Sequence, residues 1–169
     1  ELGESSRERL QQAQQETSRL VRLLRHLLVL TDLETGRRQL CLQRLEIDQW
    51  LHQWMTQQVL PDDAQLDFVS EVDQRVFIAA DPEALAEVLT QLLDNSLRYC
   101  QRPAQIELQL KLLDGAIGLR WQDHGLGIKA EPRQQVFERF VRLEEHRDPN
   151  QADGAGLGLA LCEALMQAM

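Results

Sequence analysis

The chain is 169 residues long, 43% apolar and 27% charged, a composition that suits one folded domain with at most an appendage and excludes a disordered or collagen-like polymer. Its net charge is −9, from 18 basic and 27 acidic residues, so it lacks the Lys and Arg surplus that general nucleic-acid binding needs. No apolar run approaches the roughly 18 residues that would span a bilayer, and Glu1 to Ser5 shows neither the basic flank nor the apolar stretch of a signal peptide.

The first predicted element is long. Residues 4–33 contain no Gly or Pro, and Leu10, Ala13, Thr17, Leu20, Leu24, Leu27 and Thr31 follow one another at steps of three and four. That is a heptad seam, which Val21 and Leu28 widen toward a bundle face. The reading favoured here is a bundle helix with a partner; the other is a helix folded back on its own domain. Thr35-Gly36 ends it. A strand is expected over 39–46, then a helix capped by Asp48 and running to about Gln58, with Trp50, Leu51, Trp54 and Met55 inside.

Pro61-Asp62-Asp63 predicts a turn, followed by short strands near 66–71 and 75–80. Asp81-Pro82 is a strong helix start, a capping carboxylate before proline at the first helical position. This helix should reach Tyr99 and bury Leu85, Val88, Leu89, Leu92 and Leu93. Ile106, Leu108, Leu110 and Leu112 then alternate, Asp114-Gly115 signals a hairpin, and Ile117, Leu119, Trp121 and Asp123 share the face of the return strand. A helical piece near 135–139 and a last helix over 156–168 complete the order, which predicts an α+β fold, a two-layer sandwich rather than a doubly wound sheet. Cys41, Cys100 and Cys162 are odd in number and lack metal-ligand spacing, so reduced, mostly packing thiols are expected.

Three segments carry chemical signals. Asp123 points to the core side of its strand and is followed by His124-Gly125-Leu126-Gly127-Ile128. A carboxylate there is costly without a donor, and beside an open backbone it could accept from an exocyclic amine such as adenine's; the plain alternative is a turn with a solvated Asp. Gly154-Ala155-Gly156-Leu157-Gly158 opens a helix whose free N–H groups suit phosphate, or else it is a hinge. It is not a Walker loop, since no Lys-Ser/Thr pair follows. Gln91, Asn95, Arg98 and Tyr99 share one helix face. An Asn carbonyl suits Mg²⁺, Arg suits phosphate and Tyr suits a flat ring, although such a stripe alone is more simply a solvated face.

In this order the segments resemble the ATP-binding domain of sensor histidine kinases, part of the ATPase group shared with gyrase, Hsp90 and MutL. Residues 91–99 resemble its N box, 123–128 its first glycine box, Val136-Phe137-Glu138-Arg139-Phe140 its F box and 154–158 its second glycine box. The first helix resembles the second helix of the dimerisation and phosphotransfer hairpin, and the RstB-like subgroup is most similar. The resemblance implies a Bergerat-type α/β sandwich over 36–169, preceded by that helix over 1–35. It implies ATP and Mg²⁺ as ligands. Asn95 would hold Mg²⁺, with Gln91 as a second candidate, and Asp123 would bind the adenine amine. Gly125, Gly127 and Ile128 would sit at the nucleotide, and Gly154, Gly156, Leu157 and Gly158 would serve the phosphates. Residues from about Val141 to Asp153 would form an ATP lid, with Arg142 and Arg147 as phosphate contacts there; Arg98 and Tyr99 would also bind the ATP, and Phe137 and Phe140 would anchor the lid.

The activity implied is transfer of the ATP γ-phosphoryl group to a His outside this chain, and then to an Asp of an OmpR-like response regulator. The partner helix would come from a second copy, and the chain would be the cytoplasmic portion of an inner-membrane protein. Neither an H box nor the family's further C-terminal strands are present, which is the expectation for part of a longer chain. His26 sits in Leu24-Arg25-His26-Leu27-Leu28 without the acceptor context and is read as a bundle residue. Gln91 stands where the family has Asn and where hydrolytic relatives carry Glu; it cannot abstract a proton, which argues against a gyrase-like hydrolase. Two alternatives remain: a non-catalytic nucleotide-regulated dimerisation module, and an anti-sigma-type Ser/Thr kinase.

Overall fold

The computed structural model describes residues 4–113, 116–129, 133–142 and 155–169. Helix α1 (Glu4–Glu34) leads into strand β1 (Gln43–Glu46), helix α2 (Ile47–Thr56), strands β2 (Ala64–Ser70) and β3 (Phe77–Ala80), helix α3 (Pro82–Tyr99), strands β4 (Ala104–Leu113) and β5 (Ala116–Asp123), a 3-10 turn (Gln135–Phe137) and helix α4 (Gly158–Ala168). β1 and β3 form an antiparallel pair. In the second sheet β4 is central, parallel to β2 and antiparallel to β5 in a hairpin register that brings Leu113 opposite Ala116. Its turn residues, Asp114 and Gly115, lie outside the described residues.

β4 shows why one face is covered. Ala104, Ile106, Leu108 and Leu110 are buried, while Gln105 is exposed and Glu107 and Gln109 are partly so. The buried face joins Ile47, Leu51 and Trp54 of α2 and Leu85, Leu89 and Leu93 of α3 in one core. A second cluster lies on another side of α3, where Ala84 and Val88 meet Leu30 of α1 and Leu157, Leu161, Cys162 and Leu165 around α4. α3 is thus buried on two stripes and ties the sheet to the outer helices. Burying a Leu such as Leu108 contributes about 2 kcal/mol from transfer alone.

α1 ends as expected. Gly36 lies at φ +66°, its N–H donates to Leu33 O at 3.1 Å, and Arg37 N–H donates to Asp32 O at 2.8 Å. This is the paired 5→2 and 6→1 pattern of a Schellman cap. The packing of α1 departs from a pure bundle helix. Leu23, Leu27, Leu30 and Leu33 pack on the chain's own α3 and α4, whereas Leu10, Leu20, Val21, Leu24 and Leu28 are each at least half exposed. The helix folds back through one face and leaves most of its heptad seam open.

Two local expectations are corrected. α2 starts at Ile47, whose N–H is taken by Val76 O at 3.1 Å, and the extended Glu46 precedes it without a side-chain cap bond. Asp48 sits inside the first turn, where its charge suits the helix dipole, and faces His52 at 3.7 Å. The first strand is shorter than 39–46 because β3 offers only four partners. Cys41 N–H turns instead to Asp81 Oδ2, at 2.8 Å.

Asp81 caps α3 as predicted, accepting from Glu83 N–H at 2.9 Å and Ala84 N–H at 3.1 Å. Burial works to raise its pKa, but the backbone donors of Ala84, Cys41 and Glu83 and the charge of Arg38 outweigh it, and the pKa lies below the ordinary 3.8. The carboxylate therefore contributes stability that is complete above pH 3.8 and is lost as pH falls through the lowered value. Asp81→Ala should cost about 2 kcal/mol, a drop of roughly 4–8 °C in melting temperature, with Asp81→Asn retaining only the part that one carbonyl at the cap supplies, since its NH₂ cannot accept from Cys41 N–H. Calorimetric melting of both variants checks this; an unchanged melting temperature for Asp81→Ala would discount the cap.

The three cysteines are free thiols. Cys162 is a core residue whose thiol donates to Val88 O, and burial, helped by the Glu87 charge, pushes it up to about 12. Cys41 is exposed, so the packing role expected of it does not hold.

Candidate functional site

A cavity of about 630 Å³ lies between α3, the end of β5, the glycine segment after it and the start of α4, a size ordinary for a small-ligand site. It brings together Gln91, Asn95, Arg98, Tyr99, Asp123, Gly125, Gly127, Ile128, Arg142, Gly156, Leu157 and Gly158. The three separate sequence signals therefore line one space. Gly154, Arg147 and most of the predicted lid fall at 143–154, outside the described residues. Phe137 lines the cavity, whereas Phe140 is 60% exposed and does not.

Asp123 is placed by the β4–β5 register, opposite Ile106. Its side chain is exposed rather than buried, which corrects the expectation of a core-facing carboxylate: the strand face is right, but at its end that face opens into the cavity. Each oxygen holds one donor. Ser96 Oγ–H donates to Oδ2 at 2.8 Å, and Gly125 N–H donates to Oδ1 at 3.0 Å. Trp121 Nε1–H donates in turn to Ser96 Oγ at 2.9 Å. The chain Trp121, Ser96, Asp123 fixes the carboxylate and leaves further lone pairs for a ligand N–H. A bridge between Cys100 and Gly125 brings the glycine segment to the end of α3.

Ser96 is the residue that sequence reasoning missed. Its signal was present: it falls three residues after Leu93 on the buried stripe of α3, a polar residue where the pattern asks for an apolar one, and it is 1% exposed.

At the other end of the stripe two side-chain amides converge on the start of α4. A Cβ at Gly158 would stand 3.1 Å from Gln91 Oε1, 3.7 Å from Asn95 Nδ2 and 3.9 Å from Asn95 Oδ1. Only a residue without a side chain keeps that space open. Neutral hard donors in such number suit a magnesium ion held mainly by phosphates and water, and among the described residues no cluster of three His, Cys, Asp or Glu offers another metal site. The cationic residues of the cavity are Arg19, Arg22, Arg98, Arg133 and Arg142, against Asp94 and Asp123 as its anions. Among the described residues the lining is thus locally positive, in a chain of net charge −9.

His26 does not stand in the exposed seam. It is 8% exposed and lies against α3, with its Nε2 3.2 Å from Gln91 Nε2. Burial pushes its pKa below the ordinary 6.5, with Arg22 and Arg25 acting the same way and Glu87 and Asp94 opposing. A neutral His26 with its proton on Nδ1 accepts the Gln91 amide N–H, which leaves the Gln91 carbonyl turned toward Gly158.

The family model of the histidine kinase-, DNA gyrase B- and HSP90-like ATPases matches residues 80–169, the segment from β3 to the last helix that builds most of this cavity. The chain belongs to that family. Among curated relatives, it is 34% identical to the sensor protein RstB of Escherichia coli (strain K12) over 154 residues, covering 90% of this chain and 34% of RstB. It is 25% identical to the sensor protein kinase WalK of Staphylococcus saprophyticus over 169 residues, covering 98% of this chain and 27% of WalK. The chain spans about a third or less of the length of these relatives. Its fold matches full-length ShkA in complex with AMPPNP at a TM-score of 0.74 and 22% identity, over 100% of this chain and 35% of that one. It also matches the Acinetobacter baumannii histidine kinase AdeS at 0.69 and 20%, over 100% of this chain and 76% of that one. The similarity to RstB, a sensor protein, agrees with the resemblance carried by the boxes of this chain. Among the described residues, no helix is long and apolar enough to cross a membrane.

Proposed function

We propose that this chain supplies the ATP site of a protein-histidine kinase, with the nucleotide seated in the cavity between α3, β5 and α4. The observation that carries the reading is Asp123, held by Ser96 and Gly125 at one end of the cavity, with the Gln91 and Asn95 carbonyls at the start of α4. Asp123 accepts the exocyclic amine of adenine, and Tyr99 and Ile128 line the same space. Arg98 and Arg142 face the polyphosphate, and the start of α4 at Gly156, Leu157 and Gly158 gives it unpaired backbone N–H groups. Asn95, together with Gln91, would hold a magnesium ion. When bound, that ion neutralises phosphate charge during transfer.

The residues named here bind and orient the nucleotide. The γ-phosphoryl group passes to a histidine of a helix outside the chain and from there to an aspartate of a response regulator, for which the OmpR-like class is proposed. The exposed seam of α1, from Leu10 to Leu28, supports pairing with a second copy. Residues 1–35 are then the second hairpin helix and 36–169 the catalytic domain of a membrane sensor's cytoplasmic portion.

Calorimetric titration with magnesium-ATP and magnesium-GTP tests the site: ATP should bind in the micromolar range and GTP, with a carbonyl where adenine has its amine, far more weakly. Equal binding would reject the role of Asp123. Labelled ATP with a fragment carrying the acceptor helix tests the reaction. Acid-labile label on histidine is expected; acid-stable label would point to Ser/Thr phosphorylation, and no label to a regulatory module.

A further inference from the structure

The geometry points to Arg19 and Arg22 of α1, a helix outside the ATP-binding fold itself, as contacts for the phosphates of the bound nucleotide. This rests on the reading of the cavity as the ATP site. Both residues line that cavity, together with Leu23 and His26 of the same helix.

Their place along it follows from the packing of α1 on α3. Leu30 joins Ala84 and Val88, and His26 lies against Gln91, so the two helices run antiparallel. One turn back along α1, Arg22 comes level with Asn95; about two turns back, Arg19 comes level with Arg98. The Gln91 and Asn95 side chains meet the start of α4, which puts Arg22 beside the phosphate end of the cavity, while Arg19 stands one turn further along α3, level with Arg98, the other arginine assigned to the phosphates.

The state of the two side chains supports the same conclusion. Arg19 Nε is buried and has no hydrogen-bond partner among the described residues, while its other nitrogens reach only Glu16, at 3.3 Å. A buried guanidinium N–H without an acceptor is costly, and a phosphate oxygen would satisfy it. Arg22 is exposed and has no carboxylate partner among the described residues. Among the described residues, the anionic side chains of the cavity are Asp94 and Asp123, the second already holding two donors. Docking of α1 thus completes a cationic collar that the ATP-binding fold provides only in part, and the position of the helix and the grip on the nucleotide become linked.

The test compares ATP and adenosine on the whole 169-residue chain. The double variant Arg19→Gln, Arg22→Gln keeps helix propensity and removes both charges. It should bind magnesium-ATP about tenfold more weakly than the parent and adenosine unchanged, with the gap narrowing as salt rises. Arg9→Gln, an exposed charge on the same helix away from the cavity, should leave both affinities unchanged. Arg19→Lys, Arg22→Lys should recover part of the loss. If the double variant binds ATP within twofold of the parent, or loses ATP and adenosine equally, the phosphate assignment is overturned. If the parent itself binds neither ligand, the ATP-site reading fails and this inference with it; parent binding with an unaffected double variant sinks this inference alone.

Discussion

Asp123→Asn is expected to weaken ATP binding by on the order of 10- to 100-fold while leaving the fold intact. The carboxylate is an acceptor at both oxygens, one bonded by Ser96 Oγ–H and the other by Gly125 N–H. An amide of the same shape replaces one acceptor by an NH₂ donor. Either Ser96 or Gly125 then loses its acceptor, or the NH₂ turns toward the adenine amine and donor meets donor. Because Asp123 is at the open end of β5 and not in the core, the melting temperature should change little. Ser96→Ala should act in the same direction but less strongly, since it leaves Asp123 charged while freeing its position and the Trp121 indole N–H. Calorimetric titration of both variants, with tryptophan fluorescence as a second readout, decides the matter. Affinity within threefold of the parent for Asp123→Asn would remove adenine recognition from this residue.

Gly156→Ala should be the most damaging change to the site's architecture. Gly156 lies at φ +68°, where a Cβ costs about 1–2 kcal/mol by itself. The added Cβ would also stand 2.6 Å from Val141 O and 2.8 Å from Phe140 C, both backbone atoms that cannot rotate away. Phe140 is itself at φ +65°, and its N–H donates to Gly156 O at 2.8 Å, so the two segments are clamped together. Relief by shifting Gly156 is blocked on its other side, because Leu157 is 1% exposed within the α1, α3 and α4 cluster. A total of about 3 kcal/mol follows, or a fall of roughly 6–12 °C in melting temperature, with loss of ATP affinity as Arg142 is displaced with its segment. Thermal melting followed by titration measures both. A variant that melts within about 2 °C of the parent would show that the clamp yields at little cost.

Local chemistry made much of this legible in the sequence. The bounds of α3 follow from Asp81-Pro82 and an unbroken apolar period, the hairpin of β4 and β5 from strict alternation, and the end of α1 from Gly36. The stripe Gln91, Asn95, Arg98, Tyr99 needed only helical geometry, and the structure places all four on one cavity. Each of these is decided within a few residues, where spacing and propensity dominate.

What lay beyond reach were the pairings between distant segments. β2 and β3, neighbours in the chain, belong to different sheets, β2 parallel to β4 and β3 antiparallel to β1. The heptads of α1 correctly marked a long amphipathic helix, but the choice of which face docks at home and which stays open fell to the shape of the α3–α4 surface. The same docking carried His26 to Gln91 and the arginines at 19 and 22 to the cavity. By itself, then, the sequence determined the elements and the residue types a nucleotide would require. Only tertiary packing decided which donors surround Asp123 and that α1 joins the wall of the cavity, because burial and long-range hydrogen bonds depend on contacts that no local pattern encodes.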